Sequence, residues 1–109
     1  MTAGRIRFAV ALGVSIAGAI TLAHAQGAKP DPAKVEQGEQ VYADYCQVCH
    51  GDDLVSSGQT FDLRKLKADE RERYRRAVVN GKGQMPPWKG VINDEQIDAI
   101  WAYILSKGG

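Results

Sequence analysis

The sequence predicts a small all-α domain of three main helices joined by loops. Three observations carry this. Apolar side chains recur at spacings of three and four in three separate stretches, and no segment alternates convincingly with period two. The intervals between the stretches hold Gly, Pro, Asn and Asp where helices are capped or stopped.

The first stretch of the chain is not expected to belong to the fold. Arg5 and Arg7 make a positive start, and no acid precedes Asp31. Phe8 to Leu22 is an apolar run, and Ala23-His24-Ala25 supplies the small-x-small pattern read by signal peptidase. Residues 1–25 are therefore read as a cleaved secretory signal and residues 26–109 as one domain. The run is shorter than the ~20 residues of a membrane span, so no membrane insertion is expected after cleavage. No Cys stands at the cut for lipidation, and Arg-Ile-Arg is not a twin-arginine pair, which points to general secretory export to the periplasm.

Each element then has its own reason. Ala33 to about Cys46 is read as the first helix, with Val35, Gly38, Tyr42 and Tyr45 on one face. Gly51 to Lys67 has no sustained period and is read as loop. Asp69 to Asn80 is the second helix, capped by Asp69, with an apolar stripe of Tyr74, Ala77 and Val78 and a stop at Gly81. Asn80-Gly81-Lys82-Gly83 is a turn. Met85-Pro86-Pro87-Trp88 cannot be helix interior, because proline lacks the N–H. Asn93 with Gln96 forms a capping box at the start of the last helix, whose apolar face is Ile97, Ile100, Trp101 and Ile104.

Composition bounds the function. Losing Arg5 and Arg7 with the signal takes the bases from 14 to 12 against 13 acids, a net charge of −1. That balance argues against nucleic acid, which calls for a strongly basic face. A domain this short buries a modest core and benefits from a staple or a cofactor.

The chemistry lies in Cys46-Gln47-Val48-Cys49-His50. Two thiols three residues apart at a helix end can reach the two vinyl groups on one edge of a haem, and the next residue, His50, then falls under the iron. That is why Cys-x-x-Cys-His marks covalent haem c attachment. A thioredoxin-like pair would need a βαβ context. A structural zinc site needs four ligands, and the expected mature chain has only Cys46, Cys49 and His50. Met85 is the candidate second axial ligand. It is the one Met left after processing, it sits in a Gly/Pro loop, and it lies 35 residues beyond His50, enough chain to return on the other face of a haem. The alternative is a Met filling a core gap. A His/Met pair raises a haem's potential and suits electron transfer.

With these residues in view, the sequence resembles the small class I cytochromes c of bacteria. The resemblance rests on Cys46, Cys49 and His50, on Asn80-Gly81-Lys82-Gly83-Gln84-Met85-Pro86, and on Ala102-Tyr103-Ile104. It implies the cytochrome c fold: three main helices and loops wrapped around one covalently attached haem. It also implies that Gly38 and Tyr42 let the terminal helices cross closely, with Tyr103 as the partner. More loosely, Met-Pro-x-Trp and Asp62-Leu63-Arg64 look like small cytochromes that accept electrons from quinoprotein alcohol dehydrogenases. One departure stands out: residues 51–68 hold no proline, which in many members offers its carbonyl to the axial His. Another carbonyl must orient His50, and the sequence does not name it.

Supporting residues are read by position. Phe61 and Leu63 are expected to line the haem pocket. Trp88 is either an indole donor to a haem propionate or a packing aromatic. Arg64, Lys65 and Lys67 are read as a solvated face rather than propionate partners. Residues 26–53 carry a net charge of −4 and residues 54–76 a net of +3. This is either a dipole that orients the protein on partners or a mixed surface with internal pairs such as Glu72 with Arg75 or Arg76. The expected function is outer-sphere carriage of single electrons by a monomer that is not an enzyme. The expected partners are other redox proteins: a periplasmic dehydrogenase or quinol-oxidising complex as donor, a terminal oxidase or reductase as acceptor. Two alternatives stay open: a sensor or enzyme for gas or peroxide in which Met85 is labile, and an obligate subunit of a larger dehydrogenase.

Overall fold

The computed structural model describes Gly4, residues 9–18 and residues 29–108. Most of the proposed signal, including the expected cut after Ala25, lies outside the described residues. Within 9–18 there is no helix, and Val10, Leu12, Val14 and Ile16 are exposed. No helix among the described residues is long and apolar enough to cross a membrane.

The domain is all-α. Its helices are α1 (Pro32–Tyr45), α2 (Gln47–His50), α3 (Arg71–Asn80) and α4 (Asp94–Lys107), with single 3-10 turns at Asp52–Leu54, Leu63–Lys65 and Ala68–Glu70. Among the described residues there is no strand, only two isolated bridges. Helix α1 starts one residue before its expected position. Asp31 caps it by accepting from the Ala33 N–H at 3.0 Å, and Pro32 takes the first helical position, where its missing N–H costs nothing. The helix breaks at Cys46 and resumes for one turn, which carries Cys49 and His50. The segment read as a featureless loop therefore contains two 3-10 turns.

Asp69 is not the cap of α3. The carboxylate of Glu70 accepts the Lys67 N–H at 2.9 Å, so a 3-10 turn precedes the helix and Glu70 satisfies the free amide. At α4 the capping box forms as expected. Asn93 accepts from the Gln96 N–H at 2.8 Å, and Gln96 accepts from the Asn93 N–H at 2.9 Å.

Helices α1 and α4 share the most extensive interface in the molecule. Its centre is Gly38. A Cβ built there would lie 1.9 Å from the Ala99 carbonyl oxygen, so only hydrogen fits between the two backbones. Beside this contact the Tyr42 and Tyr103 rings meet at 5.4 Å, tilted by 54°. Both are 1% exposed, so the ring pair seals the crossing completely. Helix α3 joins the core through Tyr74, which stacks on Trp101 at 4.9 Å and donates its hydroxyl to the Ile97 carbonyl at 2.7 Å. Trp101 is thus a core residue, as its helical spacing implied.

The outer faces of α3 and α4 are joined by charge. Arg71 pairs with Asp98 and Arg75 with Asp94, while Arg73 pairs with Glu70. The expected pairs of Glu72 with Arg75 or Arg76 do not form; Glu72 meets Arg71 instead. Because α4 carboxylates face two α3 arginines, the basic excess of residues 54–76 is partly neutralised across the helix pair.

The Gly38 contact generates a prediction. Gly38→Ala should destabilise the holoprotein by about 1–3 kcal/mol, because the obstacle is rigid backbone rather than a movable side chain. Denaturant unfolding measures it, and unchanged stability would mean that the helices do not touch there.

Candidate haem site

The packing of α1, α3 and α4 leaves a large cavity of about 880 Å³, in the upper part of the range for small-molecule and cofactor pockets (about 300–1,000 Å³). The seven residues expected from the sequence to bind or enclose a haem line it. Cys46, Cys49 and His50 come from the α1–α2 break and the turn after it. Met85 comes from the loop after α3, with Trp88 three residues on. Phe61 and Leu63 come from the segment before α3.

The His50 turn is held from the core side. The Tyr42 hydroxyl donates to the Gly51 carbonyl at 2.6 Å, and the His50 N–H donates to the Cys46 carbonyl at 2.9 Å. Tyr42 thus links the helix crossing to the residue next to His50. Burial lowers the His50 pKa and so favours the neutral imidazole, the form that ligates a metal. Its Nδ1 is buried without a hydrogen-bond partner among the described residues. Protein groups alone leave this ring short of a partner, and the Gly51 carbonyl beside it is already engaged by Tyr42.

The two cysteines are not joined to each other as a disulfide; Cys49 is exposed and Cys46 partly buried. Burial, reinforced by the neighbouring Cys49, pushes the Cys46 thiol up to about 11. The thioredoxin-like reading lacks the βαβ context it needs, because no strand is present among the described residues. Nor do three His, Cys, Asp or Glu side chains among the described residues converge as a cage for a bare metal ion. A large cavity with two thiols, a neutral imidazole and a thioether on its walls fits a macrocycle carrying its own metal.

The Met85 loop is tightly built. Lys82 and Met85 exchange two backbone hydrogen bonds of 3.0 Å, making a small hairpin around Gly83 and Gln84. The Trp88 N–H donates to the Val78 carbonyl at 2.8 Å, which ties the loop back to α3. Gly81 makes the reversal possible. Its φ of +74° suits glycine, and a Cβ there would lie 2.6 Å from the Met85 carbonyl oxygen. The Trp88 ring packs edge-on against Tyr45 at 5.5 Å and 67°, so it is at least a packing aromatic.

Two features of the lining were not legible in the sequence. Phe61 is half-exposed at 47%, and the Arg73 guanidinium lies 5.2 Å from its ring centre. Arg73, Arg76 and Lys82 supply the cationic part of the wall. Arg64, Lys65 and Lys67 lie outside it, and Arg64 is occupied by Asp62 at 3.0 Å.

Comparison with known proteins agrees with this geometry. Residues 33–104 match the family described as cytochrome c oxidase, cbb3-type, subunit III. Cytochrome c6 of Euglena gracilis is 35% identical over 81 residues, covering 66% of this chain and 91% of that protein. Quinohemoprotein alcohol dehydrogenase ADH IIB of Pseudomonas putida is 32% identical over 79 residues, covering 70% of this chain. The chain spans only 11% of that enzyme's length. The solved structure of the related ADHIIG from Pseudomonas putida superposes with a TM-score of 0.65 at 32% identity, over 72% of this chain and 13% of that one. With the fold, the cavity and these relatives in agreement, the chain belongs to the cytochrome c family and carries a covalently bound haem c.

Proposed function

We propose that this chain is an exported carrier of single electrons, with its haem bound through Cys46 and Cys49 and its iron held by His50 and Met85. The observation that carries the reading is the convergence of these four side chains on one cofactor-sized cavity from two separate segments of the chain. When bound, the haem supplies a one-electron couple, and a His/Met axial pair favours its ferrous form. The chain's own residues do the rest. The thiols would anchor the group permanently, His50 and Met85 would hold its iron, and Phe61, Leu63 and Trp88 would help to exclude water. An iron held by two side chains would leave no metal position for a substrate, which suits a protein that carries charge rather than one that catalyses bond chemistry.

Residues 1–25 serve as a signal for export to the periplasm, where thiols meet an oxidising environment. The partners are redox proteins that dock briefly through a small interface. The donor is a dehydrogenase or a quinol-oxidising complex, and the acceptor a terminal oxidase or reductase. Similarity to quinohemoprotein alcohol dehydrogenases favours an alcohol-oxidising quinoprotein as donor. A second reading, a permanently bound subunit, draws on relatives in which the matched stretch is a small part of a longer protein: 11% of ADH IIB and 30% of a FixPc oxidase subunit from Rhizobium leguminosarum bv. viciae. The size of the native particle before purification separates the two, because a carrier elutes alone.

Three predictions follow from the ligand and export assignments. The reduced protein should be low-spin and should not respond to CO, whereas Met85→Ala should bind CO at once and lose the thioether-to-iron charge-transfer band of the oxidised form. Prompt CO binding by the unaltered protein would mean that Met85 does not hold the iron. Gly81→Ala should place a side chain in left-handed backbone at a cost of at least about 1 kcal/mol. It should also weaken the Met85 bond, seen as a lower midpoint for loss of that band on alkaline titration. The exported protein should begin at Gln26, and mass spectrometry of the periplasmic fraction tests this.

A further inference from the structure

The peptide groups on either side of His50 are each held by a side-chain hydroxyl. On the core side the Tyr42 hydroxyl donates to the Gly51 carbonyl at 2.6 Å. On the loop side the Thr60 hydroxyl donates to the Cys49 carbonyl at 3.3 Å. That carbonyl lies in the last turn of α2, where a helix leaves its carbonyls without backbone partners. Thr60 is itself fixed by Ser56, whose hydroxyl donates to the Thr60 carbonyl at 2.7 Å and lies 3.5 Å from the Thr60 hydroxyl. The Gly58 N–H donates to Ser56 Oγ at 3.1 Å and closes the loop. The chain between the two hydroxyls is not slack. Asp53 and Leu54 stand at φ +52° and +64°, a left-handed region that strains their backbone, and Leu54 is held there fully buried.

The imidazole itself has no such support. Its Nδ1 is buried without a hydrogen-bond partner among the described residues. A histidine that ligates a metal is ordinarily turned by a hydrogen bond from its second ring nitrogen. Here the orientation of the ring falls to the peptide groups that flank it. Tyr42 reaches one of them from the helix crossing, and Thr60 reaches the other from the wall of the cavity. We propose that Thr60 is a positioning residue for His50: its hydroxyl, together with that of Tyr42, sets the plane of the imidazole against the haem. The proposal rests on the His50/Met85 reading of the site, and Thr60 acts in it only through the Cys49 carbonyl.

The plane of an axial imidazole decides how the unpaired electron of low-spin ferric iron is spread over the macrocycle. Turning the ring redistributes that spin among the haem methyls. Ferrous low-spin iron is diamagnetic and has no unpaired spin to redistribute. The two oxidation states therefore separate a turned imidazole from a displaced haem.

The test is proton NMR of the holoproteins in both oxidation states. Thr60→Val keeps the shape of the side chain and removes its donor. It should change the order and spread of the ferric methyl resonances and leave the ferrous ones in place. Thr60→Ser keeps the hydroxyl and should restore the parent pattern. Ser106→Ala removes a hydroxyl that donates to the Tyr103 carbonyl at 2.6 Å, outside the cavity lining, and should change neither state. An unchanged ferric pattern in Thr60→Val overturns the proposal, and so does an equally large change in Ser106→Ala. Failure of Thr60→Ser to restore the pattern overturns it as well, because the effect then belongs to the packing of the methyl group. Equal displacement of ferric and ferrous methyls does the same, because the haem has then moved as a body. Methionine signals shifted upfield in the ferrous protein report the iron–Met85 bond separately. Their presence with an unchanged methyl pattern defeats the Thr60 proposal alone; their absence from the unaltered protein defeats the ligand reading and the proposal with it. If Thr60→Val does not take up haem, Ser56→Ala decides. It releases Thr60 and should shift the ferric methyls, and an unchanged pattern there overturns the proposal.

Discussion

Gly38 brings α1 against the Ala99 backbone of α4, and the two helices joined there line the cavity with Tyr42, Ile100 and Ile104. With the backbones this close, Tyr42 and Tyr103 pack across the crossing, and the Tyr42 hydroxyl reaches on to the Gly51 carbonyl. The residue after His50 is thereby tied to the helix crossing. A side chain at position 38 would separate the helices and loosen that tie. In a domain with so small a core, one close backbone approach has consequences at the functional site because few other contacts can absorb the displacement.

The cavity has walls of different character. One segment contributes the thiols and imidazole at the α1–α2 break. The other contributes Met85, held by the Lys82–Met85 hairpin and the Trp88 to Val78 hydrogen bond. Between them, α3 presents four arginines: Arg71 and Arg75 pair with α4, Arg73 pairs with Glu70, and Arg76 has no ion pair among the described residues. Exposed ion pairs contribute little stability one at a time. Their larger effect here is on where charge is compensated and where it is not.

Membership of the cytochrome c family joins this chain to proteins of very different size. It matches nearly all of a cytochrome c6 and about a tenth of an alcohol dehydrogenase. A domain that stores its electron on a covalently held cofactor needs little from its surroundings. The same fold can therefore move between partners or be built into one of them.

Much of this protein was determined by local sequence. The helix-forming stretches, the Asn93–Gln96 capping box, the Gly81 stop and the Cys-x-x-Cys-His run depend on neighbours a few residues apart, and local rules are enough for them. The crossing at Gly38 and Tyr103 was legible through resemblance rather than through spacing. The start of α3 was misread because Asp69 and Glu70 are both capable caps, and only the backbone path decides which carboxylate reaches a free N–H. The partners of the α3 arginines were beyond the sequence as well. Spacing along α3 points to Glu72, whereas the carboxylates that meet Arg71 and Arg75 come from α4, 27 and 19 residues away. The same holds for Arg76, whose lack of a partner is visible only once the other three arginines have theirs. Local hydrogen bonding can be read along a chain, but charge pairing across helices depends on which faces meet, and that is settled by the packing of the whole domain.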